Sequence, residues 1–203
     1  MTQEVPKRLI SFVEAKHIFK TKIQQEPEFK CNAYVHFYID DQKFDGKQSS
    51  IWLYPEKAYE ILRHFSGVIS PDFSTFLDFP DALKRYNIYR MRAFDYWLLS
   101  KGIPVIFNVR WNTVETWEYC FDGIPLHSIV CIGTVASGIN HLENRPDFVA
   151  GLKRMIEVLQ PSVILCYGSA RYSFFDEIVA SGTPVVSFPS ETSLAFKGVR
   201  FHE

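Results

Sequence analysis

The stretch 103–111, Ile-Pro-Val-Ile-Phe-Asn-Val-Arg-Trp, constrains the fold of this chain more than any other. Its first half is a continuous apolar run rich in β-branched residues. Such a run calls for a strand covered on both faces, and strands of that kind belong to parallel sheets flanked by helices. The second half then presents an amide, a guanidinium and an indole from Asn108, Arg110 and Trp111. Ligands of α/β proteins sit at the carboxyl ends of parallel strands, so a buried strand that ends in polar groups marks a candidate site. The competing reading is a rim pair, with Arg110 bound to a neighbouring acid.

Five further strand-like runs share this design. Residues 32–39 lead into Asp40 and Asp41, and 67–70 into Pro71, Asp72, Phe73 and Ser74. Residues 128–132 lead into a Gly-Thr-Val-Ala-Ser-Gly loop, 163–166 into Tyr167, Gly168 and Ser169, and 184–188 into Pro189, Ser190 and Glu191. Helical segments separate them. Ser11 and Glu14 have capping-box spacing for a helix through about residue 23. Residues 41–50 are polar and read as a loop around Asp45-Gly46. Pro55 opens a short helix whose inner face is Ala58, Ile61, Leu62 and Phe65. Asp78 caps a long helix that Gly102 stops, and Asn112 with Glu115 starts another toward Phe121. Pro146 opens an amphipathic helix with Phe148, Leu152, Met155, Ile156 and Leu159 on one face, and a last helix spans about 173–181.

Six βα units in succession predict an α/β fold with a mainly parallel sheet and right-handed crossovers. A full eight-fold barrel takes roughly 250 residues, and this chain has 203. An incomplete barrel of the triosephosphate-isomerase type is therefore favoured over an open doubly wound sheet. The chain reads as one α/β domain, 1–203, with 1–30 as an N-terminal helical extension and 31–203 as the βα core.

Every strand end then points to one rim. That rim collects Asp40, Asp41, Asp72, Asn108, Arg110, Trp111, Thr134, Ser137, Tyr167, Ser169, Ser190 and Glu191. Polar loops after strands are common, so it is the convergence that carries the expectation. The 78–101 helix adds to it. At about 100° per residue, Leu83, Tyr86, Met91, Phe94, Trp97 and Leu98 form one stripe, with Asn87 and Arg90 in its middle and Lys84 and Arg92 outside it. A guanidinium facing a core is costly unless it is paired or lines a polar cavity. Arg90 is thus expected either to reach the rim or to lock the helix to the sheet through Asp72 or Asp40. On this reading Asp40, Asp72 and Arg110 are the candidate catalytic residues. Asn87, Arg90, Asn108, Trp111, Tyr167, Ser169 and Glu191 are the candidate ligand-binding residues.

Several functions are disfavoured. A net charge of −1 provides no basic field for a nucleic acid. Cys31, Cys120, Cys131 and Cys166 contain no C-x-x-C pair, and the last two lie in apolar runs, as buried thiols of a reducing compartment do. No apolar run reaches the length of a membrane span and no signal h-region follows the N-terminus, so a cytoplasmic location without membrane contact is expected. His36 reads as a hydrogen-bonded core histidine. The phosphate-loop lysine motif, G-x-G-x-x-G, G-x-S-x-G and H-x-x-x-H are all missing. The carboxylates, arginines and amides that remain suit a small anionic, nucleotide-like ligand: arginines fork onto phosphate, while acids act as a base or hold Mg²⁺. The expected function is hydrolysis or rearrangement of a nucleotide-like or phosphoester molecule. A non-catalytic binder that sequesters a small anion and a protein-interaction module are the alternatives.

The phrases 67–74, 102–111, 120–125 (Cys-Phe-Asp-Gly-Ile-Pro) and 167–170 (Tyr-Gly-Ser-Ala) resemble the family catalogued as domain of unknown function 4417. The resemblance covers about residues 12–197. It includes the rim positions Asp40, Asp41, Asp72, Asn87, Arg90, Asn108, Arg110 and Tyr167 to Ser169, and residues 41–50 look expanded against it. It implies an origin in phages or bacterial mobile elements, and no activity, cofactor or catalytic residue.

Overall fold

The structure is a computed structural model that describes residues 4–196. Seven parallel strands lie side by side in chain order: β1 (Leu9–Ser11), β2 (Cys31–His36), β3 (Phe65–Ile69), β4 (Val105–Asn108), β5 (Ile129–Gly133), β6 (Val163–Tyr167) and β7 (Val185–Phe188). The sheet curls into a half-barrel with helices between its strands, the incomplete barrel that βα alternation predicts. The main helices are α1 (Phe12–Ile18), α2 (Gln42–Asp45), α3 (Pro55–Leu62), α4 (Asp81–Ser100), α5 (Arg145–Leu159), α6 (Ser173–Ala180) and α7 (Glu191–Phe196). None in the described residues is long and apolar enough to cross a membrane.

Strand periodicity sorts the core into two layers, because successive side chains point to opposite faces. Val68, Val105, Phe107, Val130, Ile132 and Ile164 face outward and pack with Leu62, Met91, Leu98 and Leu152 of the helices. Their alternates Ile69, Ile106, Cys131 and Leu165 form a smaller inner cluster with Tyr34. Leu9 of β1 and Val186 of β7 pack on that same inner cluster, which is how the curl brings the two outermost strands around one interior. Cys120, Cys131 and Cys166 are buried and free, as the apolar context of the last two predicts.

Five expectations need correction. The sheet has seven strands rather than six, because residues 9–11 of the expected N-terminal extension pair with β2. Three residues are too short to register as an apolar run. The 41–50 loop contains the single turn α2, whereas the helix expected over 112–121 is one 3₁₀ turn, Val114–Glu118. Helix α4 starts at Asp81 rather than Asp78, with Pro80 ahead of it. Its inward face also differs: Arg92 is buried while Leu83 and Tyr86 are exposed. Arg92 is tolerated there because it donates to the carbonyls of Asn108 (3.1 Å), Asp122 (3.1 Å) and Cys120 (3.4 Å), groups the end of β4 and the following loop would otherwise leave unpaired.

Candidate functional site

A cleft of about 950 Å³ opens at the carboxyl ends of β2 to β6, where parallel strands place ligands. Its floor is built on the inward register of the strands. Tyr34, His36 and Tyr38 succeed one another on one face, and Tyr38 reaches across to β5. Gly133 permits this, since a Cβ there would lie 2.9 Å from the Tyr38 ring. The Tyr38 ring stacks on Tyr167 with centroids 4.7 Å apart. Its hydroxyl donates to Asn108 Oδ1 at 2.8 Å and lies 3.2 Å from Cys131 Sγ. Burial raises the Tyr38 pKa well above its ordinary value and pushes the Cys131 thiol up to about 12, so both stay protonated at neutral pH. His36 is equally enclosed: burial lowers its pKa to about 3, and Nδ1 accepts the Tyr38 N–H at 3.2 Å. This neutral imidazole fits the core reading.

Two carboxylates stand above that floor. Asp72 accepts from Arg110 Nη1 at 2.7 Å on one oxygen and from Asn108 Nδ2 at 2.8 Å on the other. Arg110 also donates from Nε to Thr75 Oγ1 at 3.0 Å, which leaves Nη2 without a partner among the described residues. Burial works against the Arg110 charge, but the charge and hydrogen bond of Asp72, with Asp41, outweigh it and raise the pKa. Asp41 sits differently. Its oxygens accept from Ser74 N (3.1 Å) and Ser74 Oγ (3.0 Å). Burial first, and the neighbouring Asp72 charge after it, hold Asp41 above the usual carboxylate range against the Ser74 bonds and the attraction of Arg110.

The far wall is aromatic. Trp111 lies 5.2 Å from Phe148 between ring centroids and presses on α5 at Gly151, where any Cβ would collide with the indole. At the mouth the β3–α4 loop carries Phe76, Leu77 and Phe79, with the two phenylalanines edge-on at 5.1 Å, and the β5–α5 loop brings Val135. Charge is unevenly spread: Asp40, Asp41, Asp72, Asp78 and Asp147 line the cleft, and Arg110 is the sole Lys or Arg among the described lining residues. These acids do not converge into a group of three or more metal-ligating side chains among the described residues.

Six of the ten residues picked from sequence line this cleft: Asp40, Asp72, Asn108, Arg110, Trp111 and Tyr167. Asp40 stands at its exposed edge, where Oδ1 accepts from Gln42 N at 2.8 Å. The other four do not line it. Arg90 pairs with Asp45 at 2.7 Å, in place of the Asp72 or Asp40 partner expected for a scaffold role, and its Nη2 donates to Asn87 Oδ1 at 2.7 Å. The Ser169 hydroxyl accepts from Arg171 N at 3.3 Å. Glu191 opens α7 and donates its own N–H to Tyr167 Oη at 3.2 Å. The cleft is also lined by Asp41, a rim position in the sequence that is not among the ten, and by Ser74, Thr75 and Tyr38, which no strand-end pattern singles out. The inward alternation from Tyr34 through His36 was the signal available for Tyr38.

The model of the family described as Domain of unknown function (DUF4417) matches residues 1–188. The chain belongs to this family. It is 33% identical over 138 residues to the Gene 1 protein of Mycobacterium phage L5, which covers 68% of this chain and 58% of the relative. The Gene 1 protein of Mycobacterium phage D29 is also 33% identical over 138 residues, covering 68% of this chain and 49% of the relative. The chain thus spans about half the length of these phage relatives. The DUF4417 match takes in all seven strands and every residue lining the cleft.

Proposed function

We propose that the rim cleft binds a small nucleoside-like molecule and acts on it by acid–base chemistry, with Asp41 handling the proton and Asp72 held in place by Arg110 and Asn108. The observation that carries this reading is the contrast between two carboxylates in one cleft. One is engaged by a guanidinium and an amide, and the other is held toward its protonated form by burial and a like charge. Pairs of acids in opposed environments are how proteins assign acid and base roles near neutral pH. Trp111 and Phe148 offer a flat ring a wall, while the carboxylates accept from ring amines and ribose hydroxyls.

The charge balance narrows the ligand. Arg110 is already bound to Asp72, and four more aspartates line the cleft, so a free phosphate would meet mainly repulsion. An uncharged or cationic ring system is favoured over the phosphoester that the residue types alone suggest. Incubation with nucleosides, their monophosphates and pyrophosphate, followed by mass measurement of what is retained and what is converted, tests this. Conversion of a nucleoside that Asp41→Asn abolishes while retention persists is the expected outcome. Retention without conversion in the intact protein supports the second reading, capture of a small molecule, for which the same aromatic wall suffices. Stabilisation by pyrophosphate alone overturns the ligand assignment.

A further inference from the structure

Asn87 and Arg90 stood out in the sequence and yet do not line the cleft. Their contacts form a circuit. Asn87, only 3% exposed, donates Nδ2 to the carbonyl of Ser74 and accepts at Oδ1 from Arg90 Nη2. Arg90 Nη1 binds Asp45 Oδ2 at 2.7 Å, and Asp45 Oδ1 accepts from Ser50 Oγ at 2.8 Å. Asp45 closes the single turn α2, donating its backbone N–H to the carbonyl of Asp41. Ser74 in turn donates twice to the Asp41 carboxylate. The circuit runs Asp41, α2, Asp45, Arg90, Asn87, Ser74 and back to Asp41.

We propose that Asn87 and Arg90 are positioning residues that hold the Asp41–Ser74 pair in place over the cleft by closing this ring. The inference rests on the reading of Asp41 as the proton-handling group. Both loops that carry the pair are short of regular structure, whereas α4 is twenty residues long and has its inner face in the core. The ring transfers the rigidity of α4 to both loops at once. A planar guanidinium suits the task, since it reaches two acceptors in a fixed geometry and lies 3.9 Å over the Phe73 ring on the same loop as Ser74. The charged groups that face Asp41 are Asp72 and Arg110, with Asp40 beside it in the chain. Arg90 acts on Asp41 through the fold and not through its charge.

The test reads the carboxyl titration of Asp41 by carbon-13 NMR in the whole protein, with no substrate needed. Arg90→Met and Asn87→Ala should open the ring and hydrate Asp41, and because burial outweighs the opposing Ser74 bonds the net effect is a midpoint lower by about half a pH unit or more. Arg90→Lys should do nearly the same, because an ammonium keeps the charge but not the two-pronged reach. Asp45→Asn breaks the ion pair with little change of volume and serves where the larger changes fail to fold. If the folded variants melt earlier while the Asp41 midpoint stays put, Asn87 and Arg90 are scaffold only and the proposal falls. If the midpoint moves as expected but Asp41→Asn leaves nucleoside conversion intact, positioning stands and the catalytic reading of Asp41 falls instead.

Discussion

Two Arg–Asp pairs grip the same residue from opposite sides. On the cleft side, Arg110 and Asp72 hold the side chain of Asn108: the pair is 2.7 Å apart, and its side chains remain 19% and 14% exposed. Behind the strand, Arg92 and Asp95 hold its backbone. Arg92 donates to the Asn108 carbonyl, and the Asn108 N–H donates to Ser70 Oγ, which donates to Asp95 Oδ2 at 2.7 Å. That second pair is 3.4 Å apart, with side chains 9% and 0% exposed. The outer pair uses both carboxylate oxygens and leaves Arg110 Nη2 without a partner among the described residues. The inner pair leaves Asp95 Oδ1 without a partner among the described residues, and burial raises the Asp95 pKa to about 7 although Arg92 opposes this. Neither ion pairing nor an unused bonding group separates the two pairs, since both have each; solvent access does.

The largest effect that would test this contrast is the loss of Arg92. Arg92→Met strands a fully enclosed carboxylate and should cost about 3–5 kcal/mol in denaturant unfolding. The next is a pH dependence. Asp95 releases its proton at about 7 in the folded chain against an ordinary 3.8, so between those values the folded state binds more protons than the unfolded one. The stability this group contributes is full below the lower value and is lost as the pH rises through the upper. The slope is at most about 1.4 kcal/mol per pH unit, and Asp95→Asn should flatten it. Arg110→Met comes third: the partly hydrated Asp72 keeps its Asn108 bond, so the loss should be about 1–3 kcal/mol. A cost equal to that of Arg92→Met would erase the distinction between the pairs. Smallest is the exposed pair Arg154–Glu157, where Arg154→Ala should change stability by less than about 0.5 kcal/mol and so calibrates the series.

Much of this arrangement is legible in the chain. A buried strand must be apolar on both faces, so β4, β5 and β6 announce themselves, and the residues just past each strand must reach the rim. Asp72, Asn108 and Arg110 could be assembled into one site on that logic alone. Helix α4 was not legible in the same way. Tyr86, Tyr89 and Tyr96 are exposed while Ile88, Met91 and Phe94 are buried, so apolar side chains occur on both faces and the stripe has no unique reading. Arg92 consequently passed for a surface residue, and Arg90 for a cleft residue.

The alternation of apolar runs with helical segments determined the parallel sheet and the rim on which polar groups would gather, because hydrophobic burial and chain connectivity are local demands written residue by residue; the order of the strands came only from the structure. Which carboxylate would be anchored and which held toward its protonated form was decided only in three dimensions. Asp41 and Asp72 are the same side chain on similar loops. They are separated by burial, with Arg110 on one and Ser74 on the other, brought together across 33 and 38 positions of sequence. The same holds for the seventh strand, where Leu9 to Ser11 become a strand only because β2 offers an edge to pair with. Electrostatic environment and edge pairing depend on distances between remote parts of the chain, and only the packed fold sets those.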